Sequence, residues 1–101
     1  MRQRLKADVS KKRLLAAALE IAETVGFHRM TRADIAAHAD VSPGLVSLHL
    51  GTMDALRRSV MRAAIKRESL KVIAEGLALG NSHARAADPE LKARALASLS
   101  A

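Results

Sequence analysis

The chain contains no cysteine, tyrosine or tryptophan, and Phe27 is its single aromatic residue. The lack of cysteine excludes disulfides, thiolate nucleophiles and zinc sites built on cysteine. No two of the four histidines are three or four residues apart and no HExxH motif occurs, so no helix offers a metal site. Neither Ser42 nor Ser47 has a nearby histidine supported by an aspartate, which removes the usual basis of nucleophilic catalysis. We therefore expect a protein that is not an enzyme and needs no cofactor.

Long hydrophobic runs are also missing. The longest strictly apolar run covers residues 14–19, which is too short to cross a bilayer or to form the hydrophobic part of a signal peptide. We expect no insertion into a membrane.

Negative charge is scarce relative to positive charge. Seventeen lysines and arginines face ten aspartates and glutamates, which gives a formal net charge of +7 and a pI near 10.9. A balance this basic indicates a polyanionic partner, either nucleic acid or an acidic membrane surface.

What the sequence does contain favours helix. Half of the residues are apolar, many of them alanine, and β-branched residues are few, which predicts an all-α fold. The length suits one domain. Within it we distinguish a basic N-terminal arm (1–10), a helix-turn-helix segment (11–60) and a C-terminal helical segment (61–101).

Helix-start signals recur through the first half of the chain. Ser10, Thr31, Ser42 and Thr52 each precede an amphipathic segment as a predicted N-cap. Asp34 completes a capping box with Thr31, and residues 40–42 form a tight turn. Pro43 then takes the first position of a third helix, where its missing N–H costs nothing. Two short helices joined by such a turn form a helix-turn-helix, at about residues 31–50.

The second half of the chain predicts a long fourth helix from Met53 to about Leu79, which residues 80–82 end. A short C-terminal helix follows, capped by Asp88 and with Pro89 at its first position. The fourth helix has two apolar stripes, and such a helix needs two surfaces to pack against. Too little chain remains to cover the second stripe, so we predict a homodimer. The predicted dimer-interface residues are Met61, Ile65, Val72, Leu79, Leu91 and Leu96.

Four segments carry a more specific resemblance. They are RLLAAALEI at 13–21 with Gly26 and Phe27 after it, TRADIA at 31–36, VSPGLV at 41–46 and TMDAL at 52–56. In order, they resemble the first helix, the second helix, the turn with the start of the recognition helix, and the opening of the fourth helix of the tetracycline-repressor (TetR) family. Members of that family usually carry a larger C-terminal ligand-binding domain. The short form predicted here has about forty residues after the match, so no small-molecule inducer is expected.

The resemblance implies the roles of individual residues. Phosphate contacts fall on Thr31, Arg32, Ser42, His49 and Thr52. The base-facing positions are Pro43, Gly44, Leu45, Ser47 and Leu48, whereas Val46 and Leu50 point inward. The basic arm, with Arg2, Arg4 and Lys6, is either a solvated tail or a segment that contacts the minor groove or the phosphates of DNA.

Three positions depart from the family pattern. Aromatic residues are common where Ser47 and His49 stand, and a phosphate-binding lysine is common where Met53 stands. The predicted recognition helix also lacks Arg, Lys, Asn and Gln, the usual bidentate base readers. Base reading would therefore depend on Leu45 and Leu48 against thymine methyl groups and on the Ser47 hydroxyl.

These observations predict a cytoplasmic, nucleoid-associated bacterial regulator of transcription. We expect a repressor or autoregulator that binds double-stranded DNA at a palindromic operator as a homodimer. One alternative is a protein-interaction adaptor or antirepressor built on a helix-turn-helix scaffold. Another is an amphipathic protein of the membrane surface, although the fourth helix lacks the Trp or Phe anchors such helices favour.

Overall fold

The computed structural model describes residues 10–100, and these residues form seven α-helices and no strand. The predicted all-α class is confirmed. The predicted arm with Arg2, Arg4 and Lys6 lies outside the described residues. The helices are α1 (Lys11–Thr24), α2 (Arg32–Ala39), α3 (Pro43–Leu50), α4 (Met53–Lys66), α5 (Leu70–Ala78), α6 (Ser82–Arg85) and α7 (Pro89–Ser98).

The first four helices begin at the predicted caps. The side-chain oxygens of Ser10, Thr31, Ser42 and Thr52 each accept a hydrogen bond from the backbone amide three residues further on. The capping box at the start of α2 is complete, because the Asp34 carboxylate accepts in return from the Thr31 amide. Each cap satisfies a backbone donor that a helix start leaves without a partner.

A single core joins the helices. α1 packs against α2, α3 and α4, while α5 and α6 pack on α4 and on each other, and α7 packs on α5. Phe27, just after α1, is buried as the predicted anchor. The largest fully buried side chains are Leu14, Met30, Ile35, Val46, Leu56, Val60, Met61, Val72 and Ile73.

The predicted fourth helix does not run unbroken to Leu79. It ends at Lys66, and α5 starts at Leu70. Glu68 adopts a left-handed conformation with φ +56°. The amides of Glu68 and Ser69 then donate to the carbonyl oxygens of Ile65 and Ala64, which is the hydrogen-bond pattern of a Schellman motif. The chain therefore reverses without a glycine or proline.

This reversal changes which residues are exposed. α5 folds back on α4, so Met61 and Val72 are both fully buried within the chain. The approach is close, since a Cβ atom added at Gly76 would overlap the terminal methyl group of Met61. Leu91 of α7 is buried as well. The prediction that Met61, Val72 and Leu91 form an uncovered interface is wrong, because all three side chains are buried within the chain.

The C-terminal helix starts where it was predicted, with Pro89 in its first turn. Asp88 occupies the predicted N-cap position, but its side chain accepts no hydrogen bond from a backbone amide of α7. Gly80, at φ +74°, ends α5, and Asn81 caps the additional one-turn helix α6 by accepting from the Ala84 amide.

The left-handed Glu68 yields a stability prediction. Non-glycine residues pay roughly 1–2 kcal/mol in this conformation. We expect Glu68→Gly to unfold at higher urea concentration than Glu68→Ala, by about 1 kcal/mol in the free energy of unfolding. The alanine variant is the matched control, because both changes remove the exposed carboxylate that accepts from Arg94. Equal stability of the two variants would show that the turn carries no such strain.

Candidate nucleic-acid interface

α2, the turn at residues 40–42 and α3 form the predicted helix-turn-helix. Asp40 is left-handed, at φ +59°, and the Val41 amide donates to the Ala36 carbonyl oxygen at 2.9 Å. This Schellman motif closes α2 and turns the chain toward Ser42, which caps α3. This geometry could be predicted from the sequence, because each of these hydrogen bonds joins residues at most five positions apart.

The inner face of α3 holds the helix on the core. Val46 and Leu50 are buried, as their predicted inward orientation requires. The same helix phase turns other residues outward. Leu48 is 77% exposed, the most exposed of the large apolar side chains, and Pro43 and Gly44 are exposed at the start of the helix.

The other two predicted base-facing residues are only half-exposed. Leu45 packs partly against the core, and Ser47 is intermediate in exposure. The accessible face of α3 is therefore narrower than the sequence suggested and is centred on Pro43, Gly44 and Leu48.

Three of the five predicted phosphate-contacting residues are the caps of helix starts. Thr31, Ser42 and Thr52 are exposed, and each hydroxyl oxygen already accepts from its own helix. Each hydroxyl therefore still has its O–H to donate. The first amides of α2 and α4 likewise have no partner within their helices, so the three caps present donors and positive helix-dipole ends.

Arg32 and His49 are both half-buried. Within the described residues, the Nε atom of Arg32 is buried and has no hydrogen-bond acceptor. A buried donor without an acceptor costs free energy, and because this atom is closed off from solvent it does not itself face a ligand. Met53, where the family commonly has a lysine, packs partly against the core and so takes an apolar role at the start of α4.

Two long-range hydrogen-bonded links fasten this region to α5. The Glu75 carboxylate accepts from the backbone amides of Phe27 and His28, at 2.9 and 2.8 Å. The Ser69 hydroxyl donates to the Glu23 carboxylate at 2.6 Å. Together they fix the end of α1 and the loop that leads to Thr31. No sequence signal pointed to these residues, since the partners are 46 to 48 positions apart.

The described part of the chain shows no group of three or more potential metal ligands. His38 instead lies 2.6 Å from the Glu20 carboxylate, at the surface between α1 and α2. Among residues 10–100, no helix has the length and apolar content needed to cross a bilayer.

The remaining predicted interface residues lie on the C-terminal helices. Leu79 and Leu96 are about half exposed, at 52% and 51%, whereas Ile65 is partly buried against the core. Leu99 is exposed as well. A groove of about 540 Å³ between α5 and α7 is lined mainly by alanine and leucine, including Leu96 and Leu99.

A short capped helix presented outward by a second short helix is the arrangement of a DNA-binding helix-turn-helix domain. Residues 14–60 match the family model described as bacterial regulatory proteins, tetR family. The match supports a TetR-type DNA-binding domain in this segment, in agreement with the resemblance found in the sequence. No curated protein and no solved structure matches the chain significantly.

Proposed function

We propose that the protein is a repressor or autoregulator of transcription that binds a palindromic DNA operator as a homodimer. The observation that carries the proposal is the outer face of α3, where Pro43, Gly44 and Leu48 are exposed. A helix of this length fits the major groove, and capped helix starts offer hydrogen-bond donors to a DNA backbone.

Affinity comes mainly from the phosphate backbone. The hydroxyls of Thr31, Ser42 and Thr52 each have an O–H free to donate to a phosphate oxygen, and the positively charged Arg32 directly follows the Thr31 cap. The net charge of +7 adds a long-range attraction to DNA. These contacts position the domain without reading the bases.

Sequence discrimination depends on a small set of side chains. Leu48 is placed to meet thymine methyl groups, and Ser47 offers a hydroxyl to either kind of base pair. Leu45 contributes less, because part of its side chain packs on the core. With no bidentate base reader on α3, the shape of the operator contributes a share of the specificity.

Dimerisation is proposed through the exposed parts of α5 and α7. Leu79, Leu96 and Leu99 are each more than half exposed. Leu96 and Leu99 line the apolar groove between these helices, and Leu79 directly follows α5. A contiguous apolar patch of this kind typically marks an interface. A two-fold axis there would place two copies of α3 on successive major grooves, about 34 Å apart.

The absence of bidentate base readers on α3 also favours a second candidate function, an adaptor or antirepressor that keeps the scaffold without reading DNA. A salt series separates the two. With a labelled duplex from upstream of the protein's own gene, we expect affinity to fall at least about tenfold between roughly 50 and 200 mM salt, because cationic contacts release counterions. Affinity that does not change with salt would favour the adaptor.

Leu48 provides the test of base reading. Leu48→Ala removes the most exposed apolar side chain of α3 while leaving Val46 and Leu50 in the core. We expect a loss of preference at one or two A·T pairs of about 1 kcal/mol each, with unchanged affinity for unrelated DNA. Replacing thymine by deoxyuridine at those pairs should reproduce the loss with the wild-type protein. Unaltered preference in both experiments would remove Leu48 from the base-reading role.

A further inference from the structure

A second surface shares no lining residue with α3. It is a groove of about 780 Å³ between α1 and α4, open along one side, which we call the basic groove. Its lining residues are Lys11, Lys12, Leu15, Ala16, Ser59, Arg62, Ala63, Lys66 and Arg67.

The charge of the basic groove has one sign. Five of its nine lining residues are lysine or arginine and none is acidic. All five basic residues are exposed. Within residues 10–100, the ion pairs involve other side chains, so these five cations have no internal carboxylate partner. The groove therefore presents an uncompensated positive rim.

Its floor is apolar. Leu15 and Ala63 pack partly on the core and leave the rest of their surface open to the groove, and Ala16 lies beside them. An apolar floor offers no hydrogen-bond donor to a phosphate group. An open groove also buries too little of a small molecule to bind it well. Two helices with small apolar residues between them instead form the kind of channel that receives a third helix.

The chain itself offers no acidic occupant. Its N-terminal residues carry Arg2, Arg4 and Lys6 against Asp8 alone, and a second copy has the same net charge of +7. We propose that the basic groove binds an acidic amphipathic helix of another protein, with leucine-type side chains on the floor and glutamates or aspartates along the rim. The inference goes beyond DNA binding and does not depend on it.

The test uses a labelled synthetic peptide of about 14 residues, roughly 21 Å long as a helix, with leucines on one face and glutamates elsewhere. We expect fluorescence anisotropy with the full chain to saturate below about 100 µM protein. A scrambled peptide of the same composition, with its leucines spread around the helix, should bind at least about tenfold more weakly because it cannot present an apolar stripe to the floor.

Variants locate the site. The double variant Arg62→Glu with Lys66→Glu should weaken peptide binding at least about tenfold, because it places like charges along the rim. The double variant Lys71→Glu with Arg85→Glu makes the same change in charge outside the groove and should stay within about twofold. Ala16→Phe fills the floor without changing the charge and should also weaken binding, with circular dichroism confirming that the variant is folded.

Three results would overturn the proposal. The first is no saturable binding of the acidic peptide. The second is equal binding of the scrambled peptide, which would reduce the groove to a general attraction for negative charge. The third is a double variant of Arg62 and Lys66 that loses DNA affinity but keeps peptide affinity, which would make the groove an extension of the DNA contact. DNA binding is measured separately, so failure here is distinguishable from failure of the proposed repressor function.

Discussion

Leu79→Glu combined with Leu96→Glu should convert the proposed dimer to a monomer and weaken binding to the proposed operator at least about a hundredfold. The size of the effect follows from linkage, because a dimer binds its second half-site as an intramolecular step worth about 10²–10⁴ in affinity. Both leucines are about half exposed, so the two glutamates remain solvated in the monomer. In an apolar interface they would be buried and unpaired.

Leu48→Glu is the matched control, since it makes the same substitution at another exposed leucine. It should lose operator binding while remaining a dimer in sedimentation velocity. Thermal unfolding of all variants confirms that the fold is retained. A wild-type protein that sediments as a monomer at micromolar concentration, yet binds a palindrome tightly, would contradict the proposed interface.

Glu75→Ala should lower the free energy of unfolding by about 2 kcal/mol, since each hydrogen bond to a charged group contributes about 1.5–3 kcal/mol and part of this site is solvent-exposed. The substitution removes the carboxylate that accepts from both Phe27 and His28. For a chain of this length, such a loss corresponds to a fall in melting temperature of roughly 8–16 °C. DNA affinity should fall as well, because the loop held by Glu75 leads to Thr31.

Two other variants calibrate that result. Glu75→Gln keeps one acceptor oxygen and should lose about half as much stability. Glu90→Ala removes an exposed carboxylate in the first turn of α7 and should change stability by less than about 0.5 kcal/mol. If Glu75→Ala melts at the same temperature as Glu90→Ala, the link between α5 and the loop is not energetically significant.

The features that could be predicted from the sequence are those determined by neighbouring residues. Thr31 and Asp34 form a capping box within four residues, and Pro43 marks the first turn of α3 after its cap. The phase of α3 followed from placing Val46 and Leu50 inward, and that phase turned Leu48 outward. Helix class, helix starts and the TetR-type domain all depend on such short-range patterns.

The features that could not be predicted depend on tertiary packing. The chain reverses at Glu68, although glutamate is a poor residue for a left-handed turn and no glycine or proline marks the site. Because nothing in the sequence marks this break, the sequence predicts one straight helix for α4 and α5. On a straight helix, Met61 and Val72 would need a partner subunit to bury them. The contact of Glu75 with Phe27 was invisible for a related reason, since it joins residues 48 positions apart.

In the proposed function, α3 reads DNA sequence as part of a symmetric dimer. Selection of bound sequences from a random pool of duplex DNA by the purified full chain tests it most directly. We expect an enriched palindrome that contains A·T pairs within each half-site and has half-sites about one helical turn apart. Recovery of DNA with no enriched sequence, although the protein is folded and binds the pool, would contradict it.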